Sequence, residues 1–220
     1  MLILFRGLSG TEFLIASLAY LVVLIVSLSV HEWAHAFAAY KFGDYTAKEQ
    51  GRLTLNPLAH IDFMGFICAA LFCFGWAKPV PVNPMRFRNY KKGIAWVSIA
   101  GVIANFVLAF MACGIFMALD KYVGNTNYFM LFVLMLFYTM FSLNISLFVF
   151  NLLPLYPLDG FNFIAAITKY GNAFVSFMYK YGYIILLVML AINAFVNTSI
   201  LGTLIKYISY PISRFWGLII

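Results

Sequence analysis

Two histidines and a glutamate sit together in the stretch "HEWAHAFAAYKFGD", His31 to Asp44, and they close an apolar run from Phe13 to Val30 that carries no charge. His31 and His35 are four residues apart, so on a helix they share one face and can grip one metal ion. Glu32 falls one step round, beside such an ion, where a carboxylate can take a proton from a water molecule. The chain has 3 histidines, and two of them lie in this motif. The alternative is a pair of packed helix histidines beside a glutamate that reaches for water. Near the end of a membrane span, ionisable groups carry an insertion cost that a metal partner would offset.

A two-histidine zinc site needs a third protein ligand and an open position for water. Of the 7 acidic residues, Glu12, Asp44, Glu49, Asp62 and Asp120 fall in predicted loops or at segment ends, and Glu32 already has a role. Asp159 remains, in "NLLPLYPLDGFNF" from Asn151 to Phe163. Pro154 and Pro157 must break a helix there, and Gly160 lets the backbone turn just after the carboxylate. Broken backbone at membrane depth is tolerated only where protein or a polar cavity surrounds it. "PLDG" alone is a common turn; beside the histidine motif it is the candidate third ligand.

The elements that must carry these residues are membrane helices. The chain is 65% hydrophobic and 10% charged, where a soluble domain keeps roughly a quarter of its residues charged; its mean hydropathy is +0.96. Phe13–Val30 would be ~27 Å long as a helix, close to the ~30 Å hydrocarbon core. Similar runs occur at Ile94–Leu119, Tyr128–Leu153 and Tyr183–Val196, and less cleanly at Ile200–Ile220. The first run is longer than the ~7–15 residue core of a signal peptide. "FMGFICAALFCFGW", Phe63–Trp76, is too short to span and suits a re-entrant or interfacial segment. Prolines 79, 81 and 84 predict an extended piece after it, and Asp44–Leu55 is read as short strands at the membrane surface.

Basic residues gather between the apolar runs, at Lys41, Lys48 and Arg52 and again at Lys78, Arg86, Arg88, Lys91 and Lys92. This is the positive-inside pattern, which places both clusters in the cytoplasm; they do not interleave with aromatic residues as a nucleic-acid groove would. With that orientation the first span runs inward to His31–His35, and the span Tyr128–Leu153 runs inward to Asp159. The ligands then reach the same leaflet. Cys68, Cys73 and Cys113 lack paired spacing and read as packing residues.

Four stretches together resemble the site-2 protease family of intramembrane zinc metalloproteases, in its minimal bacterial form without appended domains. They are "HEWAHAFAAYKFGD", "GRLTLNPLAHID", "FGWAKPVPVNPMRFRN" and "NLLPLYPLDG". The resemblance covers most of Val30–Gly160. It implies zinc on His31, His35 and Asp159, with Glu32 as general base. It also implies a substrate-holding amide at Asn151, and Asn144 lies seven residues earlier on roughly the same face; either amide could instead tie helices together. His60 matches a recurrent family position, where a structural hydrogen bond is expected, and Asn105 reads as a helix-packing amide. Two positions depart from the family pattern, Phe63 and Val102, where proline is usual; neither is a ligand.

The expectation is therefore an all-α polytopic membrane protein, one membrane-embedded domain over residues 1–220. It should have about five to six membrane segments, one of them short and re-entrant or interfacial, and a small extended or β element on the cytoplasmic side. It would hold one Zn²⁺ per chain. It would cut peptide bonds in or near transmembrane segments of other proteins, in a bacterial plasma membrane, with no nucleic-acid partner. A silent scaffold with a structural metal and a metal transporter are the rivals.

Overall fold

The computed structural model describes residues 10–72, 75–195 and 200–220. Cys73 and Val196 lie outside the described residues. Helix α1, Gly10–Lys41, carries the first apolar run and the histidine motif without a break. At about 48 Å it is longer than the hydrocarbon core. It ends where Gly43 takes a φ of 102°, and the Asp44 and Gly43 N–H groups bond back to the Ala39 and Tyr40 carbonyls. This is a Schellman cap, and the positive φ is why glycine stands there.

Asp44 then redirects the chain. Its carboxylate is fully buried and accepts from the Thr46 N–H and hydroxyl and, at 2.6 Å, from the Asn83 N–H. The Thr46 bonds start a helical turn, α2, Thr46–Glu49, where short strands were expected. A local side-chain cap outcompetes extended backbone here. Among the described residues there is no strand. The extended element reduces to one antiparallel bridge between Ile61 and Ala77, and prolines 79, 81 and 84 remove the donors a ladder would need.

Helix α3, Phe63–Phe72, is about 15 Å long and cannot cross a bilayer. Asp62 caps it by accepting from the Gly65 N–H. Gly65 lies so close to the returning chain that a Cβ would sit 2.2 Å from the Trp76 carbonyl oxygen. Helices α4, Tyr90–Tyr122, and α5, Tyr128–Leu152, follow, each started by an asparagine side chain, Asn89 and Asn127. The short α6 is Asp159–Ile167. Helix α7, Ala173–Phe195, begins ten residues before the apolar run at Tyr183, because Asn172 accepts from the Phe174 and Val175 N–H groups. Helix α8 is Ile200–Ile219.

Four described helices are long and apolar enough to cross a membrane: Gly10–Lys41, Tyr90–Tyr122, Tyr128–Leu152 and Ala173–Ile192. The expected five to six segments counted the short α3 and the C-terminal run among them. Helix α3 falls short in length, and α8 is interrupted by Lys206, Arg214 and its tyrosines. Ile205, Ile208, Ile212 and Trp216 of α8 nevertheless pack on Ala109, Cys113, Ile145 and Val149 of α4 and α5. The centre of the bundle is α1 against α4 and α5. Small residues there (Ala16, Ala19, Ala34, Ala36 and Ala39 of α1, all buried) let the helices approach closely.

Burial alone would raise the Asp44 carboxyl, but the bonds from Thr46 and Asn83, with the Arg86 charge, hold it below the ordinary aspartate range. A depressed folded-state value contributes stability above ~4, the free aspartate value, and loses it as pH falls further. Asp44→Ala should lower stability by about 2–3 kcal/mol at neutral pH, because buried donors lose their acceptor. The gap between native and variant unfolding midpoints in detergent should shrink steadily below pH 4. An unchanged gap at lower pH would remove charge from the explanation.

Candidate metal centre

His31 and His35 point from one face of α1 toward the start of α6, where Asp159 stands. The two Nε2 atoms are 3.0 Å apart, and Asp159 Oδ2 lies 3.3 Å from each. Tetrahedral zinc with bonds of ~2.0–2.1 Å separates neighbouring ligand atoms by about 3.3 Å. The three atoms thus form one face of a tetrahedron of the size zinc requires. Asp159 Oδ2 is buried and accepts no well-formed hydrogen bond, which is the state of a carboxylate oxygen whose partner is a cation. Among the described residues, these three are the cluster of ligand-type side chains able to hold a metal. The donor set of two imidazoles and one carboxylate suits zinc.

Helix α4 supplies the back wall. His35 Nδ1–H donates to the Val97 carbonyl at 2.7 Å, which leaves Nε2 unprotonated toward Asp159. Asn105 lies 3.2 Å from His31 Nδ1. Between them Gly101 permits the approach: a Cβ there would fall 2.4 Å from His35 Nε2 and 2.6 Å from His31 Cε1.

Asp159 is delivered by the break after α5. Gly160 was expected to turn the backbone, but it is helical, and its role is space. A Cβ would meet the Leu152 carbonyl oxygen at 2.3 Å and the Leu153 oxygen at 2.8 Å, so α6 folds back against the end of α5. Phe161, fully buried, fixes α6 through edge contacts with Tyr156 and Tyr179.

The cluster opens into a cavity of about 1340 Å³, lined by Glu32, Trp76, Val80, Asn151, Asn162 and Tyr179 among others. Glu32 accepts from the Val80 N–H at 2.8 Å. Asn151 lines the cavity and donates to the Leu147 carbonyl. Asn144 does not line it: the amide is fully buried and donates to Ser27 Oγ at 2.8 Å, joining α5 to α1.

Sequence reasoning missed the strap behind the extended segment. Buried Arg52 donates to the Lys78 carbonyl at 2.7 Å and the Pro79 carbonyl at 3.3 Å. The His60 carbonyl accepts from Lys78 N–H, and the His60 ring donates to the Thr54 carbonyl at 2.8 Å. His60 therefore stands apart from the metal cluster. Its signal was the stretch "GRLTLNPLAHID", where a structural hydrogen bond was expected of His60 but no role was assigned to Arg52.

Residues 119–192 match the model of Peptidase family M50. The chain is 43% identical over 181 residues to "Putative zinc metalloprotease YwhC" of Bacillus subtilis (strain 168), covering 77% of this chain and 79% of that protein. It is 36% identical over 97 residues to a relative named Rip2 from Mycolicibacterium smegmatis (strain ATCC 700084 / mc(2)155), covering 41% of this chain and 37% of Rip2. The Rip2 of Mycobacterium tuberculosis (strain ATCC 25618 / H37Rv) is 29% identical over 143 residues, which span 62% of this chain and 52% of that protein. No solved structure gave a significant match. The chain belongs to peptidase family M50, the site-2 protease family of membrane zinc metalloproteases.

Gly101→Ala should push α4 off the histidine face and cost about 1–3 kcal/mol. Thermal unfolding and bound zinc should both fall relative to the native protein. Unchanged values for both would show that the close approach at Gly101 is dispensable.

Proposed function

We propose that the protein is an intramembrane zinc endopeptidase that cuts membrane proteins in or near a transmembrane segment. The observation that carries this reading is the 3.0–3.3 Å triangle of His31, His35 and Asp159 beside Glu32, at the wall of a large cavity between membrane helices. One zinc per chain would be held by His31, His35 and Asp159. When bound it supplies Lewis acidity, polarising a peptide carbonyl and lowering the pKa of water. Glu32 then takes the proton of the attacking water and hands it to the leaving amine. In the free enzyme the Val80 N–H steadies this carboxylate.

The cavity has room for an extended polypeptide. Its wall at Trp76–Pro81 offers few donors for pairing with a substrate strand, because the Lys78 and Val80 N–H groups are engaged by His60 and Glu32 and positions 79 and 81 are proline. Asn151, which also lines the cavity, is the side-chain amide we assign to holding the substrate backbone. Asn144, tied to Ser27, joins helices. The membrane is a bacterial plasma membrane, the site opens to the cytoplasm, and residues 1–220 act as one membrane domain with α3 at the interface.

Glu32→Gln should keep zinc and lose cleavage of a co-expressed single-span substrate, since the amide cannot accept the proton. His31→Ala, His35→Ala and Asp159→Ala should each lose zinc. Asn151→Ala should lower cleavage at unchanged zinc content. Undiminished cleavage by Glu32→Gln would sink the mechanism, and a native protein that binds zinc without cleaving any such substrate would leave a scaffold or transporter as the better reading.

Orientation has its own test. In a cysteine-free variant, Gly51→Cys and Asn89→Cys should resist an impermeant thiol reagent in intact cells, and Asn125→Cys should react. Labelling of positions 51 and 125 from the same side would reverse the topological argument.

A further inference from the structure

The two histidines receive their outer partners from one stripe of α4. Val97, Gly101 and Asn105 are four residues apart in turn, so they share a face that lies along the histidine rings. The partner of His35 is a backbone carbonyl, which can only accept. The partner of His31 is a side chain, and Asn105 is fully buried.

The amide lies 3.2 Å from His31 Nδ1, and its Oδ1 has no hydrogen-bond partner. Carbonyl and amino ends of an asparagine have the same shape and exchange by a half turn of the side-chain end. His31 Nε2 faces His35 and Asp159. For that nitrogen to offer a lone pair to a metal, the ring proton must sit on Nδ1 and needs an acceptor there. With its carbonyl turned to His31, Asn105 accepts that proton, and Oδ1 gains the partner it otherwise lacks. No second candidate acceptor for His31 Nδ1 is seen among the described contacts.

We propose that Asn105 is the positioning residue that fixes the tautomer and orientation of the His31 ring for metal binding. This rests on the metal-centre reading above. It assigns Asn105 a role beyond helix packing, because a packing amide needs no particular orientation toward an imidazole.

The test compares native protein, Asn105→Leu and Asn105→Asp as full chains in detergent. Zinc affinity is measured by competition with a chelator. The ligand geometry is read from the visible absorption of the Co²⁺-loaded protein, and stability from thermal unfolding of the metal-stripped protein. Asn105→Leu, similar in size but without an acceptor, should bind zinc about 10–100-fold more weakly and shift the Co²⁺ bands. Its metal-stripped unfolding temperature should stay at or above the native value. Asn105→Asp keeps an oxygen facing the ring and should recover affinity to at least the native level. Asn105→Ala repeats the comparison should the leucine variant fail to fold. A lowered metal-stripped unfolding temperature, with native zinc affinity and Co²⁺ bands, would overturn the proposal in favour of packing alone. A native protein that binds no zinc, or binds it equally after His31→Ala, would overturn the metal-centre reading itself and this proposal with it.

Discussion

Where α1 and α4 touch at Gly101, two imidazole rings occupy space that any larger residue on α4 would fill. A histidine in a membrane helix has two ring nitrogens to satisfy, and at that depth water cannot be relied on for either. If Nε2 is kept for a metal, Nδ1 must donate inside the protein, and a buried donor left unmet costs about 1–3 kcal/mol. Helix α4 meets this with a carbonyl at Val97 and an amide at Asn105. The glycine between them sets the distance. The rest of the fold then has to bring a carboxylate to the two free nitrogens and keep bulk lipid out.

A second constraint is the extended segment after α3, which carries no helix or ladder to satisfy its own backbone. Four groups from earlier in the chain do so: Glu32, Asp44, Arg52 and the His60 carbonyl take the Val80, Asn83, Lys78 and Pro79 backbone groups among them. Arg52 and Asp44 are both buried, and burying a charge is unfavourable unless it is well hydrogen-bonded. Here Asp44 accepts from two backbone N–H groups and the Thr46 hydroxyl, and Arg52 donates to two backbone carbonyls while its Nε–H stays unpartnered, which offsets part of the desolvation. The same strap fixes the wall of the cavity and steadies Glu32, so a structural device and the proposed base share one segment.

What the sequence made legible follows from how strongly residue type and spacing constrain chemistry. That His31 and His35 would share one face, with Glu32 beside them, could be read because the i, i+4 spacing has one geometric meaning on a helix. That Asp159 would meet the two histidines could be read by elimination among few acidic residues, helped by the prolines that break α5. The part played by α4 could not be read: one partner is a backbone carbonyl, which has no letter, and the other is one asparagine among several. The strands expected near Tyr45 became a helical turn because Asp44 caps it, a local bond that propensity does not weigh. Asn144 and Asn151 share a helical face, yet seven residues along the axis is about 10 Å. At Asn144 α1 still covers α5, whereas at Asn151 the cavity has opened.

Dividing the ligands between α1 and α6 has an energetic consequence. A site made from one helix would add nothing to the association of others, but ligands on separate elements turn binding free energy into tertiary stability. Helix α6 has nine residues, too few to be stable alone. It is held by Phe161 among aromatic rings, by the close fit of Gly160 on the last carbonyls of α5, and by whatever Asp159 binds. Asp159 is the one of these that faces the histidines. If Asp159 completes the proposed centre, it also governs how firmly α6 closes one side of the cavity, so metal affinity and the shape of the cavity wall are coupled through a single residue.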